Sequence, residues 1–156
     1  MTVFEYIVQL ISAFFGSMGF ALLFNIKRQH LIIGSLGGFI SWGVYLIVFA
    51  LCNNEPVGYF FGALAANLYS EIIARIIKTP TTTILVSSLI PLIPGGALYY
   101  TMRYFYNREW ELFTNNGLRT LSLALAIALG IIVVSTAIKF LTAITTSIDA
   151  HKKTVN

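Results

Sequence analysis

Three side chains at four-residue spacing, Asn67, Glu71 and Arg75, stand inside an otherwise apolar run. Residues three or four apart share one face of a helix. At 1.5 Å per residue, Glu71 lies about 6 Å beyond Asn67, and Arg75 about 12 Å beyond it. Ionisable groups in an apolar span cost several kcal/mol unless they are paired or hydrated. Glu four residues ahead of Arg is the favourable order for an intrahelical pair. Two readings stay open. Glu71 and Arg75 neutralise each other while Arg75 reaches for the interface, or Glu71 is a proton or substrate site with Asn67 as a polar contact. Both place this face against protein.

The second suggestive stretch is Pro91-Leu92-Ile93-Pro94-Gly95-Gly96. It interrupts a segment, Thr82 to Phe105, that is otherwise apolar enough to span a bilayer. Each proline removes a backbone donor and clashes with the preceding turn. Lipid cannot satisfy the freed groups, so such a break persists only where protein or a watery cavity covers it. Against a plain proline kink, two prolines and a Gly-Gly pair favour two half-helices, Thr82 to about Ile90 and Gly95 to about Tyr106. The second would begin with unpaired amides at the positive end of its dipole, and glycine leaves that backbone open to a carboxylate. Tyr99 and Tyr100 lie close enough to the break to line such a site; Tyr104, Phe105, Tyr106 and Trp110 read as an interfacial belt.

The elements that must hold these residues are membrane helices. The chain has 156 residues, 57% of them hydrophobic and 10% charged, with a mean hydropathy of +0.81. Soluble domains carry about 25% charged residues. The expected fold is all-α and polytopic, one transmembrane domain over residues 1–156. Five spans are predicted near 3–24, 31–51, 57–77, 82–105 and 118–141, the fourth broken at Pro91–Gly96. Gln9, Ser12, Gly16 and Gly19 form a small-residue face on the first span, Gly34, Gly37, Gly38 and Ser41 on the second, and Ser122, Ala126 and Gly130 on the fifth. The first span reads as a retained helix, since no basic leader or small-residue cleavage site accompanies it. Asn107 to Gly117 reads as the longest polar loop, and the tail from Thr142 as polar.

The net charge of +4 resides at segment ends, which points to membrane topology and away from nucleic acid. Lys27, Arg28, Lys78, Lys152 and Lys153 fall on one side of a five-span chain; Glu5, Glu55, Glu109 and Glu111 fall on the other, with Arg103 and Arg108 against the trend. The N-terminus is therefore expected outside and the C-terminus in the cytoplasm. The single cysteine, Cys52, and two isolated histidines, His30 and His151, supply neither an intrachain disulfide nor a metal set. No cofactor is expected. An intramembrane enzyme is disfavoured, because the spans carry no Gly-x-Ser-x-Gly motif and no histidine.

The run Ile90-Pro91-Leu92-Ile93-Pro94-Gly95-Gly96-Ala97-Leu98-Tyr99-Tyr100-Thr101-Met102 closely resembles the signature of the small subunit of threonine/serine exporters, a family that includes a two-component succinate exporter of enteric bacteria. Gly19-Phe20-Ala21-Leu22-Leu23-Phe24-Asn25, Gly37-Gly38 with Trp42 and Tyr45, and Tyr69-Ser70-Glu71 with Ala74-Arg75 before Lys78-Thr79-Pro80 agree in order, so the likeness covers essentially the whole chain. Ile26-Lys27 departs from relatives that carry a proline soon after the asparagine. The resemblance implies export of small amino acids or carboxylates across a bacterial inner membrane, driven by the proton motive force. It also implies a larger membrane subunit as partner. On that reading the substrate carboxylate meets Gly95 and Gly96, Asn67 adds a polar contact, and Glu71 couples protons or holds an amino group. Arg75 tunes Glu71 or binds a second carboxylate. The rival is an assembly subunit whose small-residue faces scaffold a partner or a second copy.

Overall fold

The structure is a computed structural model that describes the backbone of residues 3–155 and the side chains of residues 3–144. The side chains of His151, Lys152 and Lys153, part of the expected basic tail, lie outside the described residues. Among the described residues the chain is helical, with no strand. Helix α1 covers Val3–Leu23, α2 Leu31–Cys52, α3 Glu55–Ile77, α4 Thr81–Leu89, α5 Gly95–Tyr106 and α6 Trp110–Val155. Short 3-10 turns occupy Arg28–His30 and Ile90–Leu92. Four helices are long and apolar enough to cross a membrane, and α4 with α5 forms a fifth candidate bent by 60° at the break.

Helix ends follow local chemistry. Asn54 caps α3 by accepting from the Val57 amide at 3.3 Å, with Pro56 in the first turn, where its missing N–H costs nothing. The chain leaves α3 through Lys78 at φ 53° and leaves α5 through Arg108 at φ 58°. Bonds from Thr79 N–H to the Ala74 carbonyl and from Glu109 N–H to the Tyr104 carbonyl, both 3.0 Å, close these ends in the left-handed cap motif. His30 is buried at the end of the 3-10 turn that leads into α2.

The polar stretch Asn107–Gly117 is a loop only as far as Glu109, since α6 begins at Trp110. Its polar side chains turn back onto the helix. Thr114 Oγ1 donates to the Trp110 carbonyl at 2.8 Å, and Asn116 Nδ2 to the Leu112 carbonyl at 3.0 Å. Phe113 packs on Phe105 with ring centroids 5.4 Å apart, tying this turn to α5. The helix also runs on past Thr142, through the segment read as a polar tail.

Helix α3 is central: it packs on α2, α4 and α6, while α1 leans on α2 and α5 on α6. Close approach requires small residues. A Cβ on Gly130 of α6 would stand 2.6 Å from the Phe60 carbonyl oxygen of α3. On α2, Gly34 and Gly37 receive the hydroxyls of Ser87 and Ser88 from α4, and Gly38 receives Ser17 of α1. Tyr45, Leu46, Ala63 and Leu92 form the apolar core, so the break itself is seated in the middle of the bundle.

Candidate functional site

The break is built as two half-helices with different surroundings. Pro91 has no N–H, so the Ser87 carbonyl loses its helical donor. The next carbonyl, of Ser88, accepts instead from the Ser41 hydroxyl of α2 at 2.7 Å. Leu92 is fully buried and sits against Gly62 of α3, where a Cβ would be 3.0 Å from Leu92 Cδ2. After Pro94 the chain re-enters a helix. Gly95 N–H turns back to the Ile93 carbonyl at 2.7 Å, and Leu98 N–H finds the Pro94 carbonyl at 3.0 Å. The amides of Gly96 and Ala97 are left without an intrahelical acceptor. No atom lies within 4 Å of a Cβ built on Gly95 or Gly96, so both face open space.

That space is a cavity of about 390 Å³. Pro91, Ile93, Pro94, Gly95, Gly96, Ala97 and Tyr100 line it from the break and α5. Trp42 of α2, Tyr59 of α3, and Asn116, Arg119 and Leu123 of α6 complete the wall. Arg119 is the one charged side chain among these lining residues. Its Nε and Nη2 donate to Glu55 Oε2 and Oε1 at 2.8 and 2.6 Å, a bidentate pair joining α6 to the start of α3. Tyr59 is one turn along α3 from Glu55 and packs edge-on against Tyr45, with ring centroids 4.9 Å apart. Trp42 and Pro91 also line a second cavity of about 300 Å³, whose far wall is Val8, Gln9, Ser12 and Ala13 of α1. The Trp42 indole N–H donates to Gln9 Oε1 at 3.3 Å across this boundary.

The expected residues therefore divide into two groups. Pro91, Pro94, Gly95, Gly96 and Tyr100 come together on one cavity. Tyr99 lies beside Tyr100, 64% exposed, and is not part of the wall. Asn67, Glu71 and Arg75 do share a face of α3, but that face turns to α6. Asn67 is fully buried, and its Nδ2 donates to the Ile131 carbonyl at 2.7 Å and to Ser135 Oγ at 2.8 Å. Arg75 Nε stands 3.9 Å from Glu71 Oε2, with side chains 61% and 19% exposed respectively. Arg75 Nη2 reaches Thr142 Oγ1 at 3.4 Å. The two features also differ in depth. The break packs at Gly62, five residues before Asn67, which is about 7.5 Å along the helix.

Trp42 enters the sequence reading only through the family resemblance and Asn116 only as part of a polar loop, while Tyr59 and Arg119 carry no expectation there. The available signal was charge: Glu55 and Arg119 have opposite sign and fall at the same end of their spans. Among the described residues, no group of three or more acid, cysteine or histidine side chains is placed to hold a metal ion.

The arrangement can receive a small anion. Unpaired amides at the positive end of a helix share one cavity wall with Arg119, and Tyr59, Tyr100 and Asn116 are among its other lining residues. No curated protein and no solved structure matches the chain. The family model described as Threonine/Serine exporter, ThrE matches residues 9–137, from the first span to the far part of α6. With its apolar helices and its broken fourth span, the chain belongs to the threonine/serine exporter family.

Proposed function

We propose that this chain is the small subunit of an exporter of small amino acids or related carboxylates, and that the cavity at the break is its substrate site. One observation carries the reading: the free amides after Pro94 and the Arg119 guanidinium line the same cavity. A carboxylate docks there, against the start of α5. Asn67 serves packing on this reading, and Glu71 with Arg75 stands apart as a candidate proton-coupling pair. Lys27, Arg28 and Lys78 support an orientation with the turns after α1 and α3 in the cytoplasm of a bacterial cell and the N-terminus outside. The cavity, beside Glu55, then lies in the outer half of the membrane. A larger membrane subunit completes the exporter. Gly16 and Gly19 of α1 support that partner, because no atom lies within 4 Å of a Cβ built on either.

The test is Gly96→Leu in place of the chromosomal copy. A leucine there meets no protein atom at its Cβ, so the protein still reaches the membrane while the side chain fills the cavity. Efflux of threonine and serine from loaded cells should fall at least tenfold at unchanged membrane level. Normal efflux would refute the site. A secondary readout addresses coupling. Glu71→Gln should weaken the dependence of efflux on the proton gradient, and full dependence in that variant removes Glu71 from the scheme.

A further inference from the structure

The Glu55–Arg119 pair is placed where a substrate would compete for it. Arg119 belongs to the cavity wall, and both its Nε and its Nη2 are spent on Glu55. A ligand carboxylate arriving at the amides of Gly96 and Ala97 meets a guanidinium already holding a carboxylate. The pair is not sealed, since the side chains of Arg119 and Glu55 are 54% and 32% exposed. A substrate carboxylate can present the same two oxygens to the fork of Arg119 that Glu55 presents, so the exchange trades one bidentate pair for another.

We infer that Glu55 is a specificity-determining residue: it yields Arg119 to the substrate carboxylate and takes the substrate ammonium in exchange. This rests on the cavity being the substrate site. Charge balance gives the inference its content. Glu55 and Arg119 together are neutral, and so is a zwitterion. Inserting a zwitterion between them replaces one ion pair by two and leaves the site neutral. A dicarboxylate brings two negative charges to one guanidinium and leaves Glu55 as a third, unpaired. A hydroxy acid without an amine occupies Arg119 and gives Glu55 nothing to hold. The side chain that selects is therefore one that looks, in the empty protein, like a plain structural salt bridge.

The experiment uses inside-out vesicles from strains in which each variant replaces the chromosomal copy, so that any partner subunit is present. Uptake of L-serine, glycerate and succinate is compared at equal membrane level. Glu55→Gln should cut serine uptake at least tenfold while glycerate and succinate hold or rise, and Arg119→Gln should cut all transported probes. The paired exchange Glu55→Arg with Arg119→Glu restores the salt bridge and the helix contact but moves the cation away from the α5 amides. It should not restore serine uptake. Equal loss of all transported probes in Glu55→Gln, unchanged serine uptake in that variant, or full recovery in the paired exchange overturns the inference and leaves the cavity assignment standing. Absence of saturable uptake of every probe by wild-type vesicles overturns both.

Discussion

At the scale of single residues, polar side chains inside this protein divide by what they face. Asn67 has its amide nitrogen committed to Ile131 and Ser135 of α6, which makes it a bolt between two helices. A hydrogen bond between membrane helices is worth about 0.6 kcal/mol on average. Asn67→Ala should therefore lower stability by about 1 kcal/mol, read as a drop in melting temperature in detergent, while the surviving protein exports normally. Gly96 is the opposite case: its value is the space beside it, not packing. Alanine is preferred to glycine within a helix by about 1 kcal/mol. Gly96→Ala should raise thermal stability slightly and still slow efflux, and unchanged efflux in a stabilised variant would argue against the cavity. The glycine and proline half of the site was legible in the sequence because backbone defects are local signals. Arg119, Asn116 and Tyr59 were not, because they reach the cavity only through the packing of α6 on α3 and on α5, with Glu55 and Arg119 64 positions apart. The Asn67 face was legible as a buried polar stripe, but spacing alone does not say which neighbour it turns to.

At the scale of elements, helix seams are set by glycine and serine, and the break is repaired by a neighbour. Gly130 lets α6 touch the backbone of α3 at Phe60. Overpacking a tight contact costs about 1–3 kcal/mol, so Gly130→Val should markedly reduce the protein recovered from membranes, with Gly117→Ala as a mild control since its Cβ would meet only Thr101 Cγ2 at 3.7 Å. Ser41→Ala removes the donor to the Ser88 carbonyl and should destabilise the protein by about 1 kcal/mol. The positions of the half-helices were legible from Pro91 and Pro94, which kink or break a helix interior. The start of α6 was not. Thr114 and Asn116 satisfy their own polarity by bonding back to carbonyls one turn earlier, so a sequence that reads as loop is stable as helix.

At the scale of the molecule, the two halves of the broken span are held very differently. Helix α4 interlocks with α2 through Gly34, Gly37 and the Ser41 hydroxyl, and the 3-10 turn that follows it carries the fully buried Leu92. Helix α5 has no buried residue and meets α6 along one side, through the Thr101–Thr120 hydroxyl contact at 3.1 Å and the Phe105 ring against Trp110 and Phe113, so the start of α6 moves with it. Mechanically this is a fixed post carrying a lever. The lever has 12 residues, about 18 Å at 1.5 Å per residue. A swing of about 20° around Ile93 and Pro94 would displace its tip by about 6 Å, given that rise. Spin labels at Tyr106 and on α2 should therefore report a distance change of several ångströms when serine is added, while a pair on α4 and α2 should stay fixed. The amides of Gly96 and Ala97 ride at the fulcrum, so the lever can turn while the amides proposed to hold a carboxylate scarcely move.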